Sequence, residues 1–331
     1  MKTSSLFASA TLACSLMSAG ATVHAQKAVE LSMGHVLTTE SHYHAAAVAF
    51  AKEVEARSKG TMKINIFPAG QLGGEVKMIQ AVRTGTQDLV ITGGGPVENT
   101  AKEFSVYSFP YLFTGLTQAN DVMQGPVGKE MLDLLSKYNL LGLGFISPIE
   151  RNIFTNGKRI TKASDMNGLK IRVIQGQGFV KTYEALGAQP TPMAYSELYT
   201  ALQNGAVDAA ENSPDVFVQD KFIEVSKTYT MAKVMYMPAL ILMSPSRFGR
   251  LTPEQQQIIR DATAASIASA DSHYKKGYTD SLKIIKDRGI EIIEPDLASF
   301  HATGESVHAS LLNSLPQTKP WYEKIVAQTK K

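Results

Sequence analysis

The chain has 331 residues, of which 44% are hydrophobic and 19% are charged, with a formal net charge of +3. This is the composition of a globular protein, and the length suffices for two packed domains. The near balance of positive and negative charge gives no reason to expect nucleic acid or a membrane surface as a partner.

The first 25 residues have the features of a secretory signal peptide. Lys2 supplies the positive start, "LFASATLACSLMSAGA" is a short apolar stretch, and "VHA" before Gln26 is a small-x-small cleavage signal. We therefore expect export to the periplasm and removal of residues 1–25. The apolar stretch is shorter than the roughly 20 residues of a spanning helix, so the mature chain is not expected to be embedded in the membrane.

Cys14 is the only cysteine, and it lies inside this segment. Lipid attachment at Cys14 stays open as an alternative, although Thr11 and Leu12 differ from the usual signal for it. After cleavage, 32 basic and 30 acidic residues remain, a formal charge of +2. The mature chain then has no thiol for a disulfide, a nucleophile or a metal ligand.

The mature sequence opens with a βαβαβ pattern. "AVELSMGHV" alternates like a strand, "ESHYHAAAVAFAKEVEARSKG" has helical spacing and ends at Gly60, and "TMKINIFP" is a second strand. "GGEVKMIQAVRTG" predicts a helix that Gly85 closes, and "QDLVITGG" predicts a third strand. Strands that alternate with helices need crossover connections, so the pattern predicts an α/β domain with a largely parallel sheet.

A second unit of the same kind begins at "LKIRVI", which reads as a strand. The helix "GQGFVKTYEALG", the extended link "AQPTPM", the helix "YSELYTALQNG" and the strand "AVDAAENS" follow it. Two such units predict two lobes, and a cleft between lobes is the usual place for a ligand site.

Residues 253–288 predict one long helix. Thr252 is its N-cap, Pro253 its first residue and Gln255 the partner in a capping box. No strong stop follows before Gly289, although Gly277 is a possible bend. At ~1.5 Å per residue the helix would extend ~54 Å, enough to lie across both lobes.

Five stretches of the chain resemble a known family. They are "FPAGQLGGE" (67–75), "DMNGLKIRV" (165–173), "EALGAQPTPMAYSELYTALQNGAVDAAEN" (184–212), "KFIEVSKTY" (221–229) and "LTPEQQQII" (251–259). In this order, over nearly the whole mature chain, they resemble the substrate-binding proteins of tripartite ATP-independent periplasmic (TRAP) transporters, of the dicarboxylate-binding-protein (DctP) type.

The resemblance implies an α/β fold, a two-lobed periplasmic binding protein (type II-like) with a long helix crossing both lobes. Lobe one would contain residues 26–148 plus 238–278, and lobe two residues 149–237 plus 279–331. The implied function is that of a monomeric receptor, without cofactor or enzymatic activity. It would capture a small organic acid anion and deliver it to the ion-gradient-driven membrane subunits of a TRAP transporter.

Arg172 is the strongest candidate ligand residue. Its neighbours Ile171 and Val173 point to the opposite face of the strand, and a buried guanidinium needs a partner. The residues alone leave open a structural salt bridge or a ligand role. The resemblance makes Arg172 the carboxylate clamp, because a planar guanidinium can make two parallel hydrogen bonds to one carboxylate.

Asn212, in "AAENSP", is either a turn former or, by the resemblance, a residue beside the bound carboxylate. Arg151, in "IERNIFTN", is either a salt-bridge residue or a second ligand contact. Glu75 lies at a predicted helix N-terminus, where a cap role and a contact with ligand hydroxyls are compatible. Tyr236 resembles an aromatic position of the family.

Two departures from the family leave the distal half of the ligand undefined. Lys233 and Val234 stand where many members have paired histidines, and Gly93–Gly95 replace larger polar residues. Because Glu75 and His42 are available to hydroxyls, we expect a hydroxy acid or a sugar acid.

"GHVLTTESHYH" (34–44) gathers three of the seven histidines and raises the question of a metal site. His42 and His44 are two residues apart at a helix start, so they face different sides, and no further metal motif supports them. No metal is expected. We expect Ser41 or His42 to face the cleft and His35 to be a buried strand residue. The alternative function is a secreted metal-assisted hydrolase that uses this histidine cluster.

Overall fold

The computed structural model describes residues 28–329. The predicted signal peptide and Cys14 lie outside this range. Within it the strands are β1 (Val29–Gly34), β2 (Met62–Phe67), β3 (Leu89–Gly93), β4 (Leu141–Thr155), β5 (Lys170–Val173), β6 (Gln189–Pro192), β7 (Ala209–Asn212), β8 (Thr228–Met243) and β9 (Glu291–Ile293).

The helices lie on the faces and edges of the sheet that these strands form. They are α1 (His42–Arg57), α2 (Glu75–Thr84), α3 (Gly94–Val97), α4 (Leu116–Gln124), α5 (Pro126–Leu134), α6 (Gln177–Ala185), α7 (Leu198–Gln203), α8 (Pro214–Gln219), α9 (Pro245–Phe248), α10 (Pro253–Asp287), α11 (Leu297–Ser314) and α12 (Lys319–Thr329).

Across residues 28–329 the strands form one sheet in the order β2-β1-β3-β8-β4-β7-β5-β6, with β9 paired to β8. At one end β2, β1 and β3 are parallel, and at the other end β6, β5 and β7 are parallel. We call these ends, with the helices that follow their strands, the first lobe and the second lobe. Between them β8 and β4 run antiparallel to each other and to their outer neighbours.

The two predicted βα units are confirmed, and the link "AQPTPM" forms β6, which pairs with β5. The central strands β4 and β8 were not predicted. They are long and buried on both faces, so they lack the alternation that marks a half-buried strand. The sequence therefore predicts the two lobes and misses the strands that join them.

The β4–β8 pair is irregular where it passes between the lobes. Its register shifts between Ile146 and Ile149 and again between Arg151 and Ile153. Lys233 takes a left-handed conformation (φ 50°), and its backbone N–H donates to the Asn152 side chain at 2.9 Å. Such bulges re-aim the side chains that follow them.

Helix α10 is unbroken over 35 residues, or ~52 Å at the usual rise. It packs against α1 of the first lobe and α8 of the second, so it crosses both, as predicted. Gly277 does not interrupt it. A Cβ at Gly277 would lie 3.2 Å from Cβ of Asp215, so this glycine lets α8 approach closely.

The last helix contacts the first lobe. Ile325 of α12 is buried in a cluster with Val122, Met123 and Met131 of α4 and α5. The lobe boundaries given above stay a prediction, and these contacts attach the end of the chain to lobe one. None of the helices in residues 28–329 has the length and apolar character needed to span a bilayer.

Thr252 caps α10 in the predicted way, because its hydroxyl accepts from the N–H of Gln255 at 3.3 Å and the Gln255 side chain accepts from Thr252 N–H at 3.0 Å. We expect Thr252→Ala to lower the free energy of unfolding by about 1 kcal/mol, the usual value of a lost N-cap. Urea unfolding measures it. Thr252→Ser keeps the hydroxyl and should retain the original stability, and equal losses in both variants would contradict the capping role.

Candidate functional site

A small cavity lies between the lobes, where β4, β5 and β7 meet the loop after β1 and the start of α2. We call it the clamp cavity. It has a volume of about 20 Å³, room for roughly one water. Its polar lining is Tyr43, Glu75, Arg151, Arg172, Tyr195 and Asn212, and its apolar lining is Val36, Leu37, Ile149, Ile174, Val216 and Met237.

Arg172 enters this cavity from β5. Its neighbours Ile171 and Val173 are fully buried in the core of the second lobe, so alternation turns Arg172 to the other face. Only 2% of Arg172 is exposed. Nη2 donates to the carbonyl of Met193 at 2.9 Å, while Nε and Nη1 have no partner among the described residues. Such buried, unpaired donors require an acceptor group.

Arg172 nevertheless keeps its charge. Burial lowers the pKa of Arg172 to about 10, which leaves the guanidinium protonated at neutral pH. Its Cζ lies 5.8 Å from the centre of the Tyr195 ring, within the range of a cation–π contact. The cavity thus presents a desolvated cation with two nitrogens, Nε and Nη1, whose N–H groups are free to donate.

Arg151, by contrast, is fully paired within the protein. Nη2 donates to Glu211 Oε1 at 2.7 Å, Nε donates to Glu211 Oε2, and Nη1 donates to Asn212 Oδ1 at 3.0 Å. Burial lowers the pKa of Arg151, but the Glu211 carboxylate raises it by more, so the pKa of Arg151 lies above its ordinary value. Arg151 therefore neutralises Glu211 and orients Asn212 at the cavity wall.

Glu75 stands opposite, on the first lobe. As the first residue of α2 it has one oxygen, Oε1, that accepts from Thr92 Oγ1 and from Gly93 N–H, both at 3.0 Å. Burial raises the pKa of Glu75, an effect that these hydrogen bonds and the two arginines partly offset. Its other oxygen makes no hydrogen bond within residues 28–329, so it is free to accept from a hydroxyl.

His42 does not reach the clamp cavity, contrary to the expectation from the sequence. Both its side chain and that of Asp215 are fully buried, with Nδ1 3.2 Å from Oδ2. The helix start turns the next residue, Tyr43, into the cavity, and Ser41 caps α1. His42 therefore joins α1 of the first lobe to α8 of the second.

His35 and His44 form a separate pair, with Nε2 and Nδ1 3.1 Å apart. Burial, with His44 close by, lowers the pKa of His35 to about 3. His42 and His44 face different sides, as predicted. Within residues 28–329 no three His, Cys, Asp or Glu side chains are grouped as metal ligands.

Tyr236 also lies outside the clamp cavity, which corrects the expectation for this residue. Its hydroxyl is 3.4 Å from Glu150 Oε2, and its ring packs in the core of the first lobe. Successive residues of a strand face opposite sides, so the following residue, Met237, lines the cavity instead.

Gly93 and Gly95 make room for large apolar side chains. A Cβ on Gly93 would lie 2.8 Å from Cε of Met237, and a Cβ on Gly95 would lie 2.6 Å from Cε2 of Phe179. The glycines that replace larger polar residues of the family therefore admit Met237 and Phe179. These two side chains occupy the space next to the end of β3 and the start of α3.

A second contact between the lobes involves Glu98, which follows α3. Its carboxylate accepts from the N–H of Gly178, in the first turn of α6, at 2.6 Å and from the hydroxyl of Ser108. A Cβ on Gly176 would lie 2.7 Å from Glu98 Oε2, so glycine is needed there. Burial raises the pKa of Glu98 to about 7.

Comparisons with known proteins agree with this geometry. A model of the bacterial extracellular solute-binding proteins, family 7, matches residues 33–314. The chain is 32% identical over 294 residues to a solute-binding protein of Verminephrobacter eiseniae, an alignment that covers 87% of this chain and 86% of that protein.

Two solved structures share the fold. A TRAP periplasmic solute-binding protein of a Polaromonas species, bound to D-erythronate, has a TM-score of 0.86 at 30% identity, covering 90% of this chain and 98% of that chain. A sugar acid binding protein of Advenella mimigardefordensis, in complex with galactonate, has a TM-score of 0.88 at 30% identity, covering 92% and 98%.

Glu211 is a site residue that the sequence reasoning missed, and its pairing with Arg151 is testable. We expect Glu211→Gln to lower the free energy of unfolding by about 3 to 5 kcal/mol, because it leaves a buried guanidinium without its counter-charge. Urea unfolding measures the loss. Glu291→Gln removes the exposed partner of Arg159 and should change nothing measurable. Equal stability of the two variants would contradict the assigned role.

Glu98 predicts a pH dependence of stability. Its pKa in the folded chain is about 7, above the ordinary 4.5, so folding favours the protonated form. The stability that this gives is fully present below pH 4.5 and is lost as the pH rises through about 7. We expect Glu98→Gln to flatten that decline in urea unfolding across this range. Glu55→Gln, on the exposed face of α1, should keep the original slope, and an unchanged slope in Glu98→Gln would contradict the prediction.

Proposed function

Because the chain belongs to the bacterial extracellular solute-binding proteins of family 7, we propose that its clamp cavity holds the carboxylate of a small sugar acid or hydroxy acid. The observation that supports this proposal is the environment of Arg172, a buried cation whose Nε and Nη1 have no hydrogen-bond partner within residues 28–329. A carboxylate would supply both the missing acceptors and the missing negative charge.

The resemblance to TRAP transporter binding proteins is confirmed, and so is the two-lobed α/β fold. The relatives from Polaromonas and Advenella hold D-erythronate and galactonate, which are both polyhydroxylated monocarboxylates. By analogy with them, we assign Arg172 and Asn212 to the ligand carboxylate. Glu75 and Tyr43, on the opposite wall, would form hydrogen bonds with the hydroxyl groups of the ligand.

The remaining predicted residues support the site from behind. Arg151 fixes Asn212 through Nη1, and His42 holds the lobes together through Asp215. Tyr236 stabilises Glu150 at the crossing of β4 and β8. In this proposal His42 and Tyr236 do not touch the ligand, whereas Arg151 lines the clamp cavity and acts on the ligand through its charge and through Asn212.

The receptor would be exported to the periplasm and would pass its ligand to TRAP membrane subunits. These two parts rest on the predicted signal peptide and on the family. The hydrolase alternative depended on the histidine cluster, whose side chains are engaged with Asp215 and with each other in the described part of the chain. No observation favours a reaction at this site.

We expect Arg172→Ala to weaken binding of D-erythronate or galactonate by about 2 to 5 kcal/mol, the usual effect of truncating one member of a buried charged pair. Arg172→Lys should restore only part of the loss, because an ammonium group cannot match the planar carboxylate. Isothermal titration calorimetry measures both. Arg159→Ala removes an exposed arginine and serves as the control. Near-original affinity in Arg172→Ala would contradict the proposal.

A further inference from the structure

Two cavities meet at Tyr195. Beside the clamp cavity of about 20 Å³ lies an outer cavity of about 310 Å³, between residues 69–74 of the first lobe and residues 219–222 of the second. Val36 and Tyr195 line both cavities. Tyr195 is therefore part of the wall between the ligand carboxylate and the larger space towards the mouth of the cleft.

Two contacts fix Tyr195 in this position. Its hydroxyl donates to Oδ2 of Asp220, and the other oxygen of Asp220 accepts from Thr38 Oγ1 at 2.7 Å. Thr38 belongs to the first lobe and Asp220 to the second, so the bond crosses the cleft. The Phe222 ring packs edge-on against Tyr195, with centroids 5.8 Å apart. Moving Tyr195 aside would break these contacts together.

The opposite end of the clamp cavity is bounded by Met237, which packs onto Gly93. The unbranched methionine side chain adapts easily, so it can yield a limited space to a ligand. Phe179 is fully buried in the same apolar cluster, against Gly95. A ligand held by Arg172 therefore meets an adaptable side chain at Met237 and a fixed one at Tyr195.

We propose that Tyr195, held by Asp220, limits the length of the acid that this protein binds. Of two acids held at Arg172, the site would favour the shorter, because the distal carbons of the longer acid would have to displace Tyr195 into the outer cavity. This inference rests on the proposed function, because it assumes that the carboxylate lies at Arg172.

The length limit can be tested on the protein without substitutions. Calorimetric titration with D-erythronate, of four carbons, and with D-galactonate, of six, should show binding of the shorter acid at least about tenfold tighter, as steric discrimination in a closed pocket usually gives. Equal affinities, or tighter binding of galactonate, would overturn the length limit and leave the proposed function intact. Binding of neither acid would instead contradict the proposed function.

A pair of matched variants tests the residue. Tyr195→Ala joins the two cavities, so the affinities for the two acids should then differ by no more than about threefold. The variant also loses the contact between the Tyr195 ring and Arg172, but this loss affects both acids equally and cancels in the ratio. Tyr199 lines the outer cavity but not the clamp cavity, and its hydroxyl donates to Glu224, so Tyr199→Ala should keep the original ratio. An unchanged ratio in folded Tyr195→Ala, or an equal fall in Tyr199→Ala, would overturn the assignment.

Discussion

The site depends on one electrostatic constraint, the burial of Arg172 without a negative partner of its own. The Glu211 carboxylate, which acts on the charge of Arg172 from the same lobe, is already hydrogen-bonded by Arg151. An uncompensated charge at this depth costs several kcal/mol, so the folded protein holds a deficit that an anion can offset. In the proposed function, affinity for a carboxylate would follow from this charge arrangement, and the rest of the lining would select among carboxylates.

The sheet topology creates this arrangement. Parallel strands β5 and β7 end at the cleft and bring Arg172 and Asn212 to one edge, while β4 delivers Arg151 beside them through antiparallel pairing with β7. The first lobe contributes Glu75 from the start of α2. Each lobe alone therefore carries only part of the site, and the strands between them add the apolar side chains of Ile149 and Met237 to the enclosure.

The sequence was sufficient for the local features. Arg172, Asn212 and Glu75 lie in stretches with clear strand and helix signals, and all three line the clamp cavity. The sequence was not sufficient where a shift by one residue decides which side chain faces the cavity. Met237 instead of Tyr236, and Tyr43 instead of His42, face the cavity, because bulges and helix starts reset which side a residue takes.

Contacts between residues that are far apart in the chain also could not be predicted from the sequence. The partner of Arg151 is Glu211, 60 residues away, and it became visible only once β4 and β7 were known to pair. The strands β4 and β8 themselves were missed because a strand buried on both faces has no polar alternation. A family motif identifies the ligand-facing residue in such a case, but it does not identify the residue behind it.

The unbroken helix α10 has a mechanical consequence. It packs against both lobes and, as a regular helix of ~52 Å, it resists changes in length. The spacing of the lobes along its axis is therefore held constant, and any separation of the lobes must be a rotation about the strand crossing. Such a geometry works as a lever, because a small rotation at the β4–β8 bulges becomes a larger displacement at the rim of the cleft that lies farthest from them.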